Sequence, residues 1–396
     1  MAFKAIIAGG GTGGHLFPAV AVGEAMRCAR PETEVLFVGA SNGMEAKWFP
    51  PSGLRYELLE VHGFAGKSPL ARLRALREFL QALSCARGSL RSFGPDVVVS
   101  AGGYASAPIA VAAIMAGIPL ILMEQNTQPG LANRMLWRFA SKICLGFADA
   151  VSAFNPAKVE VTGNPVRFSK MPRAARRHDG PLRILVLGGS SGAHRLNLGM
   201  LGAFKILNGE GMHLAVTHQT GDADAVLVEE AYRALGREAT VVSFIDDIAA
   251  ALDAADLVVA RAGAMTVSEI ALAGRAAVFV PYPFHRDHQQ EHNARVLASV
   301  GGAVVVADDA DLAENLAQML KRLSARPECL QDMAARAHQM AMYDAAERIV
   351  RVCFQVAGSD TDPSQKREVD GPTASGKRGC RSAGQSAGAS AQERGA

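Results

Sequence analysis

The sequence has little that would mark a secreted, membrane-spanning or nucleic-acid-binding protein. Its six cysteines form no CxxC pair and no zinc-type spacing, which predicts reduced thiols and a cytosolic compartment. No apolar run is long enough to span a bilayer, and the start, MAFKAII, lacks the long apolar region and cleavage site of a signal peptide. The formal net charge is only +3, so a global nucleic-acid-binding surface is not indicated. We therefore expect a cytosolic protein that would meet a membrane only at its surface.

Short apolar segments alternate with helical segments over most of the 396 residues. Continuous apolar runs of this length are typical of strands that are buried on both faces of a parallel sheet. The pattern predicts an α/β fold with two doubly wound, Rossmann-like domains, because one core would not serve so long a chain. The predicted strands are Lys4–Ala8, Val35–Val38, Val97–Ser100, Leu120–Met123, Arg183–Leu187, His213–His218, Thr240–Phe244, Leu257–Ala260 and Ala276–Val280.

The strand–helix pattern starts again near residue 180, after a segment rich in arginine and proline that suits a linker. We predict an N-terminal domain over residues 1–165 and a C-terminal domain over residues 166–357, whose final helix packs back on the N-terminal domain. Residues 358–396 are rich in serine, glycine and alanine. They contain too few large apolar residues to form a core, so we expect a disordered tail.

The first glycine-rich loop, in KAIIAGGGTGGHLFPAV, places Gly9, Gly11 and Gly14 in the spacing GxGxxG between a strand and a helix. Such glycines permit a tight turn, and the helix start offers free N–H groups to an anion or a polar sugar. A nicotinamide or flavin dinucleotide site would also need an acid at the end of the second strand, where residues 39–42 have none. A nucleotide-sugar site is favoured, with a purely structural turn as the alternative.

His15 follows this loop and would lie above the carboxyl edge of the sheet, where open α/β sheets bind ligands. Its near-neutral pKa suits proton transfer or a hydrogen bond to a hydroxyl group. The alternative is a histidine that only caps the helix or packs in the core.

The second glycine-rich loop, Gly188–Gly192, repeats the strand–loop–helix arrangement without the GxGxxG spacing. Ser190 can donate a hydroxyl hydrogen bond to a phosphate beside the N–H groups of the loop. This arrangement predicts a pyrophosphate-binding site that does not require a Walker lysine.

A further loop, Arg261–Met265, is predicted to lead into a helix that starts near Thr266. Thr266 and Glu269 have the T-x-x-E spacing of a capping box, in which Glu269 would bond only to a backbone N–H group. In the alternative interpretation, the Glu269 carboxylate accepts hydrogen bonds from both hydroxyl groups of a ribose. The pattern alone favours neither.

Histidines and acids occur in two places where a metal site has to be considered. His288 and His292 stand at i and i+4 without an HExxH motif, and Asp222-Ala-Asp224 has the form of a metal-binding DxD. Both metal interpretations are disfavoured, and we predict no metal and no cofactor. Gln289 and Gln290 are better suited to binding sugar hydroxyl groups.

Leucines recur at helical spacing after Ser68-Pro69, which is a good helix start. Arginines surround the apolar stripe. Two interpretations stay open: an amphipathic helix packed on its own domain, or an apolar surface with a basic rim that binds anionic lipid. The predicted membrane contacts are Leu73, Leu76, Phe79 and Leu80.

A series of motifs occurs in the same order as in a known family. They read GGGTGGHLFPAVAV, GGYASAP, EQNTQPG, GNPVR, GGSSGA, FIDDIAA and RAGAMTVSE. Over about residues 1–355 the chain resembles the bacterial MurG family, the undecaprenyldiphospho-muramoylpentapeptide N-acetylglucosaminyltransferases. It departs from the usual GGSQGA at Ser191, and His194 stands where arginine is usual.

The resemblance implies the GT-B fold and the transfer of N-acetylglucosamine from UDP-GlcNAc to the 4-hydroxyl of the muramoyl sugar of lipid I. The reaction inverts the anomeric carbon and gives lipid II for peptidoglycan. The implied location is the cytoplasmic face of the inner membrane, with anionic lipid and other cell-wall synthesis proteins as partners. The resemblance also implies which residues bind the donor. Thr12, Gly13, Gly14 and Asn126 would lie at the donor sugar, whose hydroxyl groups Gln289 or Gln290 would contact. Arg167 and Ser190 would contact UDP, Ile245 the uracil through its backbone, Ala264, Met265 and Thr266 the phosphate, and Glu269 the ribose.

His15 is the first choice for the base that activates the acceptor hydroxyl, Glu124 is the alternative, and Tyr104 is placed on the acceptor side. Three other functions stay open: a GT-B transferase with another acceptor, a UDP-sugar epimerase of the same fold, and a protein that binds UDP without catalysis. Only the EQN and GGYASAP motifs favour lipid I over other acceptors.

Overall fold

The computed structural model describes residues 2–61, 69–166, 180–189, 192–236, 239–285 and 287–359, with the backbone alone for 69–75. The first half contains a sheet of seven parallel strands in the order β3-β2-β1-β4-β5-β6-β7. The strands are β1 Lys4–Ala8, β2 Glu34–Ala40, β3 Tyr56–Leu59, β4 Val97–Ser100, β5 Leu120–Glu124, β6 Lys142–Leu145 and β7 Val159–Val161. Its helices are α1 Gly13–Ala29, α2 Glu45–Ser52, α3 Pro69–Phe93, α4 Ala107–Ala116 and α5 Leu131–Leu136, with 3₁₀ turns at Ala148–Ala153 and Pro156–Lys158.

The second half contains six parallel strands in the order β10-β9-β8-β11-β12-β13. The strands are β8 Leu182–Leu187, β9 Leu214–Gln219, β10 Ala239–Val242, β11 Leu257–Ala260, β12 Ala276–Phe279 and β13 Ala303–Val305. The helices are α6 His194–Gly209, α7 Ala225–Ala234, α8 Ile248–Ala254, α9 Ala264–Ala273, α10 Gln289–Ala298, α11 Leu312–Ser324, α12 Pro327–Gln339 and α13 Ala345–Val356. The two doubly wound, Rossmann-like α/β domains predicted from the sequence are confirmed.

The strand order of each sheet determines where a ligand-binding crevice forms. In each sheet the chain moves outward from a central strand, β1 or β8, and then crosses to the other side, to β4 or β11. The loops that follow these two strands diverge and leave a crevice at the carboxyl edge, where open α/β sheets bind ligands. The two glycine-rich loops follow β1 and β8, so both lie at such crevices.

The last helix, α13, packs on the first domain, although its residues follow those of the second. Ile349 and Phe354 belong to the same buried cluster as residues of β1 and α1. The rings of Phe3 and Phe354 meet edge to face at 4.8 Å, and the Arg30 guanidinium lies 3.9 Å from the centre of the Phe354 ring. Burying an aromatic side chain contributes about 1.5–3 kcal/mol, so this helix ties the two halves together.

Several boundaries differ from the sequence prediction by one or two residues. β10 ends at Val242 rather than Phe244, because the chain turns there and the N–H groups of Thr220 and Gly221 bond to the carbonyls of Val242 and Ser243. The helix expected near Thr266 begins at Ala264. The predicted domain limits stay predictions. The proposed linker between residues 169 and 179 and the tail from 360 lie outside the described residues. None of the described helices is both long and apolar enough to cross a membrane.

Candidate active site

A buried carboxylate fills the first glycine-rich loop. Glu45, at the start of α2, is fully buried, and both of its oxygens accept the N–H of Gly11, at 3.0 and 2.9 Å. Oε1 also accepts the N–H of Ala40 at 2.6 Å. The loop of a dinucleotide site would offer its N–H groups to a pyrophosphate. Here an internal carboxylate already accepts the N–H of Gly11, which adds a physical argument against the dinucleotide interpretation.

His15 lies in the first turn of α1, half-buried against the loop after β4. A Cβ at Gly102 would stand 2.9 Å from its Cδ2 atom, so glycine there makes room for the ring. Burial lowers the pKa of His15 to about 4, because desolvation penalises the imidazolium form. The ring is therefore neutral at physiological pH.

In the described part of the chain, His15 has one hydrogen-bond partner, a hydroxyl that can donate or accept, so the contact fits either tautomer. The Nδ1 atom stands 3.2 Å from the Thr12 hydroxyl oxygen. Assigning the proton to Nδ1 makes it the donor in that bond and leaves the lone pair of Nε2 available. A neutral imidazole held in this way can take a proton from an acceptor hydroxyl.

Around His15, Thr12, Gly13 and Gly14 form the start of α1, with Thr12 as an N-cap residue that makes no side-chain cap bond. The ring of Tyr104 covers Gly11, and its hydroxyl donates to Asn42 Oδ1 at 3.2 Å. Burial and then the Glu45 charge raise the pKa of Tyr104, so it stays a neutral donor. The residues predicted for the acceptor side thus meet at the ends of β1 and β4.

Glu124 organises the loop after β5. Its Oε1 accepts from the backbone and side-chain nitrogens of Asn126 at 3.0 and 3.2 Å, and its Oε2 accepts from Gly130 N and Asn133 Nδ2, both at 2.8 Å. Four donors occupy the four lone-pair sites of the carboxylate. This geometry suits a residue that shapes the loop, and it favours His15 over Glu124 as the base.

On the other side of the cleft, α9 points an open N-terminus at the crevice. Gly263 is the N-cap residue and supplies no side-chain bond, while the first helical N–H bond runs from Val267 to Gly263 O. The backbone N–H groups of Ala264, Met265 and Thr266 have no acceptor among the described residues. Three such groups at a helix start are a ready seat for phosphate.

The capping box predicted for Thr266 and Glu269 is wrong. Since Gly263 is the cap, Thr266 is the third helical residue and Glu269 lies in the second turn. Glu269 is buried, with 8% of its surface exposed. Its carboxylate therefore does not cap the helix, and only the ribose interpretation of the two stays as a prediction.

Gln219, which the sequence analysis did not single out, ties two loops of this half together. Its Nε2 donates to Gly189 O at 2.9 Å, and its Oε1 accepts from Ile245 N at 3.2 Å. The second glycine-rich loop and the predicted uracil-contacting residue Ile245 are thus held by one side chain. Arg167 and Ser190 lie outside the described residues.

The DxD-like acids do not form an open metal site. Asp224 Oδ2 accepts from Asn197 Nδ2 at 2.7 Å, and Oδ1 stands 3.0 Å from His194 Nδ1. Asn197 Oδ1 in turn meets the fully buried His218, whose burial lowers its pKa to about 4. Among the described residues, no group of three or more histidine, cysteine, aspartate or glutamate side chains could hold a metal ion.

The two adjacent glutamines differ in their surroundings. Gln290 Oε1 accepts the N–H of Tyr282 at 2.9 Å and so braces its own loop. Gln289 Nε2 reaches across the cleft to Gln128 O at 3.2 Å. Gln289 is therefore the better candidate for a sugar contact.

Asn293, also missed by the sequence analysis, joins the two halves. Its Oδ1 accepts from the Thr127 backbone N–H and hydroxyl, both at 3.0 Å, and its Nδ2 donates to Asn126 Oδ1 at 3.1 Å. The EQN loop of the first half is thereby fixed to α10 of the second. The loop that contains Asn126 and Thr127 is therefore in direct contact with α10 where the two halves meet.

Comparison with known proteins gives consistent matches along both halves. Residues 5–145 match the glycosyltransferase family 28 N-terminal domain, and residues 183–349 match the family 28 C-terminal domain. A protein of Syntrophotalea carbinolica is 42% identical over 358 residues, which cover 90% of this chain and 100% of that protein. It is named UDP-N-acetylglucosamine--N-acetylmuramyl-(pentapeptide) pyrophosphoryl-undecaprenol N-acetylglucosamine transferase.

Among solved structures, Acinetobacter baumannii MurG aligns with a TM-score of 0.71 and 30% identity, covering 90% of this chain and 100% of that one. A UDP-GlcNAc 2-epimerase from Neisseria meningitidis, solved with UDP-GlcNAc, aligns with a TM-score of 0.61 at 12% identity, covering 90% and 100% of the two chains. The second likeness concerns the fold alone. The GT-B architecture implied by the resemblance is confirmed.

Proposed function

The chain belongs to glycosyltransferase family 28, and on that premise we propose that it transfers N-acetylglucosamine from UDP-GlcNAc to the 4-hydroxyl of the muramoyl sugar of lipid I, giving lipid II. The observation that carries the proposal is the pairing of two unlike crevices. One contains a neutral histidine beside Tyr104, and the other contains an open helix start beside Glu269. Relatives about 40% identical over nearly their whole length are named for this reaction.

We place the UDP portion of the donor in the C-terminal half. Its pyrophosphate would lie on the N–H groups of Ala264–Thr266, its ribose on Glu269, and its uracil beside Ile245. Helix α9 is ten residues long, and its dipole favours negative charge at this end. The predicted contacts of Arg167 and Ser190 with UDP stay predictions.

The chemical step is a single in-line displacement with inversion. His15 Nε2 takes the proton of the acceptor hydroxyl as its oxygen attacks the anomeric carbon, and the bond to the UDP oxygen breaks. The departing pyrophosphate gains negative charge, which the N–H groups at the α9 start stabilise without reorganisation. Tyr104, Asn126 and Gln289 would orient the two sugars.

Lipid I is an amphiphile, so the enzyme needs a membrane-docking face, and helices α3, α4 and α5 offer one. On the outer side of these helices Leu76, Leu80, Met115, Leu131 and Met135 are 47–69% exposed. Further along α3, Ala82, Ala86, Leu90 and Phe93 pack in the core. The packing of these residues supports the first interpretation for the later part of α3, and the exposed leucines near its start support the docking interpretation. Phe79 is half-buried, and the side chain of Leu73 is not described.

The charge around this face suits anionic lipid. Arg77, Arg87, Arg134 and Arg138 are exposed on or beside the same helices. Each basic residue near an anionic surface contributes about 1 kcal/mol to binding. We infer peripheral binding at the cytoplasmic face of the inner membrane, with other cell-wall synthesis proteins as further partners.

We expect the double variant Leu76→Glu/Leu80→Glu to bind vesicles of phosphatidylglycerol at least about 10-fold more weakly than wild type in flotation. Each leucine loses about 1–2 kcal/mol of burial in the bilayer surface, and each new charge is repelled. The matched control is Val226→Glu/Leu227→Glu on α7, whose side chains are 68% and 45% exposed in the other half. Equal flotation of all three proteins would rule out this docking face.

The rival functions differ in what they release. An epimerase would isomerise or hydrolyse UDP-GlcNAc without an acceptor, a binding protein would do neither, and a transferase for another acceptor would ignore lipid I. Transfer of labelled N-acetylglucosamine to a lipid I analogue separates the proposed transferase from the three rivals, and turnover of UDP-GlcNAc alone identifies the epimerase.

A further inference from the structure

The Glu45 carboxylate is a buried group that bonds to the loop before the proposed base and that the mechanism above does not use. It is fully buried and accepts the N–H groups of Gly11 and Ala40. A carboxylate is rarely buried unless it is paired or hydrogen-bonded, because removing it from water costs several kcal/mol. Because burying the Glu45 carboxylate costs free energy, we expect it to have a role at this position.

The chain around the carboxylate is shaped to hold it. A Cβ added at Gly10, Gly39 or Gly43 would collide with the Glu45 side chain. These glycines come from three places: the loop after β1, the end of β2, and the turn before α2. The glycine at position 10 therefore makes room for an internal anion, which differs from its usual role of letting a ligand approach.

The carboxylate bonds to a loop of the kind that binds phosphate in other proteins. A glycine-rich loop between a strand and a helix directs its N–H groups at an anion, and here that anion is part of the chain. The charge repels a second anion from the same place. It also fixes Gly11, which is joined directly to Thr12, the hydrogen-bond partner of His15.

We propose that Glu45 is a positioning residue: it occupies the anion seat of the first glycine-rich loop, holds Thr12 and His15 towards the acceptor, and keeps nucleotide phosphates in the other half. The proposal rests on the proposed function for the role of His15. The occupied seat itself can be tested without any transfer reaction.

The first test compares Glu45→Ala with wild type and with Glu32→Gln, an exposed glutamate at the opposite end of β2. We expect Glu45→Ala to lower kcat for transfer by about 10- to 100-fold, as misplacement of a reacting group does, with the Kd for UDP within twofold of wild type. Formate should restore part of the lost kcat by filling the vacated seat, and formamide should not. Wild-type kcat in Glu45→Ala, or equal effects of formate and formamide, would overturn the proposal.

Glu45→Gln provides a second variant should the alanine protein not fold. The amide keeps the size of the side chain but offers one acceptor oxygen and no charge. We expect a lower kcat with an unchanged Kd for UDP. An unchanged kcat, or a loss of UDP binding equal to the loss of kcat, overturns the positioning role.

The third test has no catalytic readout. With UDP saturating the enzyme, inorganic phosphate is titrated by calorimetry into wild type and into the folded variants. The proposal predicts phosphate binding to Glu45→Ala and none to wild type. If wild type and Glu45→Ala bind phosphate equally, or if neither binds it, Glu45 does not occupy an anion-binding site. Absence of transfer by wild type would contradict only the proposed function.

Discussion

Replacing His15 by alanine is expected to lower kcat with a lipid I analogue by about 10²- to 10⁴-fold, the range for loss of a general base. The KM for UDP-GlcNAc should change little, because the donor is placed in the other half. Initial rates at saturating donor and acceptor measure the effect. His213→Ala is the matched control, since its half of the molecule contains the donor but its strand start is far from the crevice. Near wild-type kcat in His15→Ala would exclude the base role.

The pH dependence of kcat/KM tests the protonation state of His15 independently of mutation. Burial places its pKa at about 4, below the ordinary value, so the ring loses its lone pair only when the pH falls towards 4. Activity that depends on neutral His15 is therefore fully present from about pH 6 upwards and lost on acidification through the folded-state pKa. We expect kcat/KM to be flat between pH 6 and 8. An ascending limb centred near the model-peptide value of about 6.5 would indicate another base or a different environment for this one.

Replacing Glu269 by glutamine is expected to raise the KM for UDP-GlcNAc by about 10- to 100-fold, because hydrogen bonds to a charged group contribute about 1.5–3 kcal/mol. The kcat at saturating donor should stay within a few-fold, since a ribose contact is made equally in the ground and transition states. Initial rates against UDP-GlcNAc concentration give both constants.

Glu314→Gln, at an exposed position in the first turn of α11, serves as the charge-matched control for Glu269. It removes one carboxylate from the same half of the molecule at a distance from the crevice. Should Glu269→Gln lower kcat and leave the KM for UDP-GlcNAc at the wild-type value, the ribose assignment would be rejected.

Local pattern predicted those parts of the fold that depend on neighbours in the sequence. β1, β4 and β11 match the predicted segments because both faces of a central parallel strand are buried, which leaves a continuous apolar run. The glycine-rich loops were placed correctly at strand ends for the same reason. The end of β10 was missed because Phe244 is apolar, and an apolar residue beyond the last ladder bond looks like strand.

The parts of the site that were missed depend on contacts between distant segments. Asn293 bonds to Thr127 across 166 positions, Gln219 to Ile245 across 26, and Glu45 to Gly11 across 34. The local periodicity of a sequence does not indicate a hydrogen-bond partner that is so distant along the chain. The signals that existed were small: an acid at the first position of α2, two residues after Gly43, and a glutamine at the carboxyl end of β9.

The capping box failed for a related reason. T-x-x-E spacing satisfies the sequence rule at residues 266–269, but Gly263 with an extended backbone begins the helix one turn earlier. Which of several small residues caps a helix depends on how the preceding strand enters the loop. The correction matters functionally, because it removes the role that competed with ribose binding for the Glu269 carboxylate.

We therefore assign different roles to the two glycine-rich loops. The first is bonded to an internal carboxylate and is proposed to face the acceptor, whereas the second is tied through Gln219 to the loop predicted to hold uracil. Under the proposed function, this asymmetry would let two domains of one architecture bind two different substrates.

The most direct test of the account is a transfer assay with UDP-[¹⁴C]GlcNAc and a lipid I analogue. The account predicts one labelled, β-linked disaccharide lipid for each UDP released, and no UDP release when the acceptor is omitted. Release of UDP or an isomerised sugar without acceptor, or failure to label the lipid while another acceptor is glycosylated, would contradict it.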